Sequence, residues 1–172
     1  SRDGRVFVII SDGLRFEAAE ELTGRMRKVF TGTTELKPLQ GVLPSLTSMG
    51  MAALLPHKNE LGIDFSGFAV VDGNSVEGTT RRQAVLEKTG YPSIALGLGE
   101  LLDMTTDEMR RRLEGRRIVY VYHDRIDDTG HNQNEKDVFQ AVDKALDEIE
   151  EAVKALRNKV SATNIYITTD HG

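Results

Sequence analysis

Apolar positions along the chain fall into two alternating patterns: short unbroken runs, and longer stretches with apolar residues every three or four positions. "RVFVIIS" (Arg5–Ser11) is a continuous apolar run and predicts a short strand buried on both faces. "RIVYVYHD" (Arg117–Asp124) and "TNIYITTD" (Thr163–Asp170) predict two more strands, "GFAVVD" (Gly67–Asp72) is a further candidate, and "SIALGL" is ambiguous. Between them lie helical patterns. "RFEAAEELTGRMRKVF" (Arg15–Phe30) reads as a helix with a possible break at Gly24, and "TSMGMAALL" (Thr47–Leu55) as a short helix ended by Pro56. "TRRQAVLEKTG" (Thr80–Gly90) stops at a glycine. "TTDEMRRRLEG" (Thr105–Gly115) carries Thr105 or Thr106 as its cap, early acids, late arginines and a final glycine. The longest is "NEKDVFQAVDKALDEIEEAVKALRNKV" (Asn134–Val160), where Val138, Val142, Leu146, Ile149, Val153 and Leu156 keep one apolar stripe.

Strands alternating with helices predict an α/β fold, a mainly parallel sheet with helices on both faces. The 172 residues suit one domain spanning the whole chain. A start at "SRDGRVFVII", without Met or signal peptide, reads as a piece of something longer. No apolar run approaches membrane-spanning length. Cysteine is absent, so disulfides, Cys-zinc sites and thiol nucleophiles are excluded, and a reducing cytoplasm is the default location. A net charge of −5 argues against a broad nucleic-acid footprint. The arginines at 110, 111, 112, 116 and 117 read as a solvated face at a helix C-terminus.

In open parallel sheets, ligands bind beyond the carboxyl ends of the strands. Asp12 follows the first predicted strand, Asp127, Asp128 and His131 follow "RIVYVYHD", and Asp170 and His171 end the last one. One aspartate there is an ordinary helix cap. Several carboxylates gathered at one edge repel unless a cation sits among them. Aspartates with histidines form a mixed oxygen and nitrogen ligand set that suits zinc, or manganese where oxygens dominate. The adjacent pair Asp170–His171 could serve two metals, or one metal and a substrate, because neighbouring side chains usually point apart. His57 reads as a cap or surface residue, and His123 as a buried structural histidine. In "LPSLTSMGMAALLP", Thr47 near a helix start is ordinarily an N-cap, but a metal-activated threonine there would be a nucleophile for phosphate chemistry. Arg15, one turn after Asp12, reads equally as a phosphate contact or a surface ion pair.

Taken in chain order, "SDGLR", "PSLT", "DDTGH" and "TDHG" resemble the alkaline phosphatase superfamily. "VIISDGLRFEAAEEL" with "LPSLTSMGMAALLP" is closer still to the PglZ domain, best known from bacterial phage-resistance (BREX) systems. The resemblance runs from Val6 to Gly172 and implies an alkaline-phosphatase-like core. It implies a metal-dependent phosphoester hydrolase with two divalent metals, zinc first and manganese or magnesium as alternatives. One metal would take Asp12, Thr47, Asp170 and His171. The other would take Asp127, His131 and a later histidine that this chain lacks, so the second site is expected to be incomplete and hydrolysis by this chain alone poor or absent. Thr47 is the implied nucleophile, from its place in P-S-x-T, with Ser48 a weaker alternative. A phosphate ester is the implied substrate, and protein partners would come from a defence complex. The alternative expectation is a catalytically incomplete metal-binding scaffold that assembles with such partners. Haloacid-dehalogenase and P-loop chemistry are disfavoured, because D-x-D after the first strand and G-x-x-x-x-G-K-[ST] are both missing.

Overall fold

The structure is a computed structural model that describes residues 4–58, 60–123 and 135–171. Its centre is a four-stranded sheet built from β1 (Val6–Ser11), β5 (Ser93–Gly97), β6 (Ile118–His123) and β7 (Asn164–Thr168), in the order β5-β6-β1-β7. Every neighbouring pair is parallel: Val6 lies opposite both Ile118 and Asn164, and Ser93 opposite Ile118. The first strand in the chain is therefore an inner strand, paired with two that come far later. The unbroken apolar run of β1 is what that position requires, since Phe7, Ile9 and Ile10 are all fully buried.

Helices cover both faces, as the alternating pattern predicts. On one face, α1 (Phe16–Val29), α4 (Leu98–Asp103), α5 (Thr106–Leu113) and α6 (Glu135–Val160) enclose Phe7, Ile9, Leu96 and Val121. Leu146, Ile149, Val153 and Leu156 of the long helix's stripe lie in this core, whereas Val138 at its start is exposed. On the other face, α2 (Thr47–Ala53) and α3 (Gly78–Glu87) pack with Ala69, Val71, Ala95 and the tyrosines of β6.

Several elements refine the sequence reading. Helix α1 runs through Gly24 without a break. The ambiguous "SIALGL" is the buried strand β5, followed directly by α4. The candidate strand at residues 67–72 narrows to β3 (Ala69–Val71), and it lies outside the parallel sheet. It is the middle of a small antiparallel sheet with β2 (Leu61–Ile63) and β4 (Asn74–Ser75). The arginines 110, 111, 112 and 117 are exposed, but Arg116 turns inward enough to donate to the Ser93 carbonyl at 3.1 Å. No described helix is long and apolar enough to cross a membrane.

Candidate metal centre

The parallel sheet brings the ends of β1 and β7 side by side, and so brings Asp12 and Asp170 together across 158 residues of chain. Both are buried, each about 6% exposed. The backbone N–H of Asp12 donates to the His123 carbonyl at 2.8 Å, which extends the β1–β6 pairing one step beyond the strand. Gly13 then turns the chain with φ 72°, a left-handed conformation that glycine adopts without strain. That turn points its N–H at Asp170 Oδ1, 3.3 Å away.

His171 completes the cluster. Its Nε2 lies 3.3 Å from Asp12 Oδ1 and 3.5 Å from Asp170 Oδ2. The adjacent Asp170 and His171 thus face one centre, and one ligand atom from each of Asp12, Asp170 and His171 falls within 4.8 Å of the others. Among the described residues, Asp170 Oδ2 is fully buried yet accepts no hydrogen bond. A buried carboxylate oxygen without a donor is costly, and a cation at this position removes that cost. The donor set of two carboxylates and one imidazole fits zinc or manganese.

Thr47 supplies the fourth group. Its Oγ1 lies 3.1 Å from His171 Nε2. The ordinary reading of this threonine as an N-cap fails: the cap is Leu46, and no side chain caps the helix. Thr47 is the first residue inside α2, half-buried, and its hydroxyl is turned to the cluster. Gly50 explains how the helix comes so close. A Cβ there would stand 2.2 Å from the Asp170 carbonyl oxygen, so only glycine lets α2 lie against the end of β7. The sequence reading passed over this glycine, although a glycine inside a short helix is a recognisable sign of close packing.

Asp127, Asp128 and His131 lie outside the described residues. His57 Nδ1 donates to the Leu55 carbonyl (2.8 Å) just after α2, in keeping with a local capping role. His123 is buried, as expected of a structural histidine. Its partners, Ser11 and Glu148, were not anticipated. Ser11 Oγ is 3.0 Å from Nδ1, and Glu148 Oε2 is 2.9 Å from Nε2. Arg15 is exposed at the N-cap position of α1. A cavity of about 670 Å³ opens beside the centre, between α1, β7 and the segment leading to α2; Asp170 and His171 form part of its wall, and Leu14, Met26 and Ile167 give it an apolar side.

The sequence profile of the BREX system PglZ alkaline phosphatase-like domain matches residues 1–172. The chain belongs to the PglZ family. Alkaline phosphatase-like protein PglZ of Bacillus cereus (strain H3081.97) is 39% identical over 173 residues, which cover 100% of this chain and 20% of that protein. Alkaline phosphatase-like protein BrxZ of Escherichia coli O9:H4 (strain HS) is 39% identical over 170 residues, 98% of this chain and 19% of that protein. The PglZ chain described here therefore spans about a fifth of the length of these curated relatives.

Proposed function

We propose that this PglZ chain carries part of the active site of a metal-dependent phosphoester hydrolase that works in bacterial phage defence. The observation that carries the reading is the convergence of Asp12, Asp170 and His171 with the Thr47 hydroxyl at one end of the sheet. Membership of an alkaline phosphatase-like family supports the reaction class. Asp12, Asp170, His171 and Thr47 would hold one divalent cation, zinc first, with manganese or magnesium as alternatives. When bound, such a cation neutralises phosphate charge and lowers the pKa of a coordinated hydroxyl.

The chain's own residues define the rest of the chemistry. Thr47 Oγ1 is the nucleophile. It forms a bond to phosphorus as the ester oxygen departs with the bonding pair; the hydroxyl proton passes through solvent to the departing oxygen, giving a phospho-threonine and a free alcohol. Water then adds to phosphorus and the threonine oxygen leaves, releasing phosphate. Gly50 holds Thr47 at the reacting position, and Gly13 holds the Asp170 carboxylate. Positioning of this kind supplies much of the catalysis in phosphoryl transfer, because the protein has little covalent work to do. Asp127 and His131 would belong to a second metal site, together with a histidine beyond this sequence.

The test is hydrolysis of an aryl phosphate mono- or diester by the intact protein with added Zn²⁺ or Mn²⁺. Activity is expected to depend on metal and to fall at least about a thousandfold in Thr47→Ala. Full activity in Thr47→Ala would remove Thr47 as the nucleophile. Metal binding without turnover in the intact protein would favour the alternative of a metal-holding scaffold for protein partners.

A further inference from the structure

Ser11, His123 and Glu148 form a hydrogen-bonded chain, buried at Ser11 and His123 and half-buried at Glu148, that the phosphoester chemistry does not use. It runs from β1 through β6 to α6: Ser11 Oγ to His123 Nδ1 at 3.0 Å, and His123 Nε2 to Glu148 Oε2 at 2.9 Å. A serine, a histidine and a carboxylate in line resemble a nucleophilic triad, but Ser11 is 0% exposed and His123 4%, so no substrate reaches the hydroxyl. A carboxylate can only accept, so Nε2–H donates to Glu148, and the ring's other nitrogen, Nδ1, pairs with the Ser11 hydroxyl. The imidazole is thereby fixed from both sides.

Its place in the fold gives this chain a purpose beyond filling the core. Ser11 and His123 are register partners at the last step of the β1–β6 ladder. Ser11 immediately precedes Asp12, and the Asp12 N–H donates to the carbonyl of His123 itself. Strand β1 is thus stitched to β6 by side chain and by main chain just before the first metal-binding candidate. His123 also ends the strand that leads into the stretch holding Asp127 and His131, and Glu148 sits on the helix that follows it. Well-packed apolar residues would fill the same space at no loss of stability. What a polar chain adds is direction: it fixes the lateral position of two strand ends to hydrogen-bond tolerance.

We propose that Ser11, His123 and Glu148 are positioning residues that hold the ends of β1 and β6, and with them Asp12, in metal-binding geometry. This rests on the metal-centre reading above. Hydrogen-bonded partners behind metal ligands typically contribute about 10–100-fold in metal affinity.

The experiment titrates the intact protein with Co²⁺, following its d–d absorption, alongside thermal unfolding of the metal-free protein. Ser11→Ala and Glu148→Ala are expected to fold, to bind Co²⁺ about tenfold or more weakly, and to change the shape of the d–d spectrum. Glu148→Gln keeps an acceptor for Nε2–H and is expected to restore affinity and spectrum to those of the unaltered protein. A purely structural role predicts a lower unfolding temperature with unchanged affinity and spectrum, and that result overturns the proposal. Should Glu148→Ala fail to fold, Ser11→Ala, which removes a single oxygen, decides the question. Absence of Co²⁺ binding by the unaltered protein would instead bring down the metal-centre reading, and this inference with it.

Discussion

Gly50 and Gly24 are both helical glycines, and the structure gives them opposite prospects. At Gly50 an added methyl group meets the Asp170 main chain, which cannot swing aside as a flexible side chain would. Gly50→Ala is expected to push α2 off β7, cost about 1–3 kcal/mol in urea unfolding, and weaken metal binding by displacing Thr47. At Gly24 nothing lies within 4 Å of the same methyl group. Gly24→Ala is expected to raise stability by about 1 kcal/mol, because alanine loses less backbone freedom in a helix. The members of the Asp12–Asp170–His171 cluster were legible in the sequence for a physical reason. A carboxylate following a strand, or a histidine beside one, stands out locally, and parallel pairing brings strand ends to one edge. What the sequence left open was how Asp170 and His171, which neighbour one another, could face one point. The answer lies in the irregular backbone after β7, and no local pattern encodes it. The chain Ser11–His123–Glu148 was illegible because its three members sit 112 and 25 residues apart.

Among the elements, α5 shows how much a local motif can fix. Thr105 Oγ1 accepts from the Glu108 N–H at 3.3 Å, while Glu108 Oε2 accepts from the Thr105 N–H at 2.9 Å, the reciprocal pair of a capping box. A threonine cap was readable from "TTDEMRRRLEG", and the structure decides between Thr105 and Thr106 in favour of Thr105. Thr105→Ala is expected to cost about 1 kcal/mol. The Glu108 carboxyl is held below its ordinary value, chiefly by the hydrogen bond from the Thr105 hydroxyl and then by that from its backbone N–H. A lowered folded-state value contributes stability above the ordinary carboxylate range and loses it as pH falls through the folded value. The gap in stability between the unaltered protein and Thr105→Ala is therefore expected to be full near neutral pH and to narrow in acid. Denaturation curves at a series of pH values would check this. The small antiparallel sheet was less readable. Strands β2 and β4 have three and two residues, too short for any period to register. Strand β3 was seen but could not be assigned to a sheet, because three residues do not distinguish parallel from antiparallel partners. Strand β5 was ambiguous because a five-residue apolar run fits a buried strand and a buried helix turn equally well.

For the molecule as a whole, the sheet separates two apolar cores, and the larger depends on α6. Leu146 and Ile149 of that helix are fully buried against the strands. Leu146→Ala is expected to cost about 2–5 kcal/mol by chemical denaturation, since the cavity it leaves is walled by secondary structure that cannot collapse into it. The fold class was legible at this scale because strand and helix periods alternate cleanly along the chain. The order of the strands was not, since nothing in the sequence of β1 names its two neighbours.

That order has a kinetic consequence. Of the described strands, β1 leaves a ribosome before the others, yet the residues opposite Val6 are Ile118 and Asn164. During synthesis its apolar run waits with both edges open until β6 has emerged, and with one edge open until β7 follows. Contacts of such long sequence separation form slowly, and unpaired strand edges invite association in the meantime. Asp12 likewise waits for Asp170 and His171. A nascent chain thus gains this ligand set only at the end of folding, and uptake of a metal ion by it would report a completed sheet.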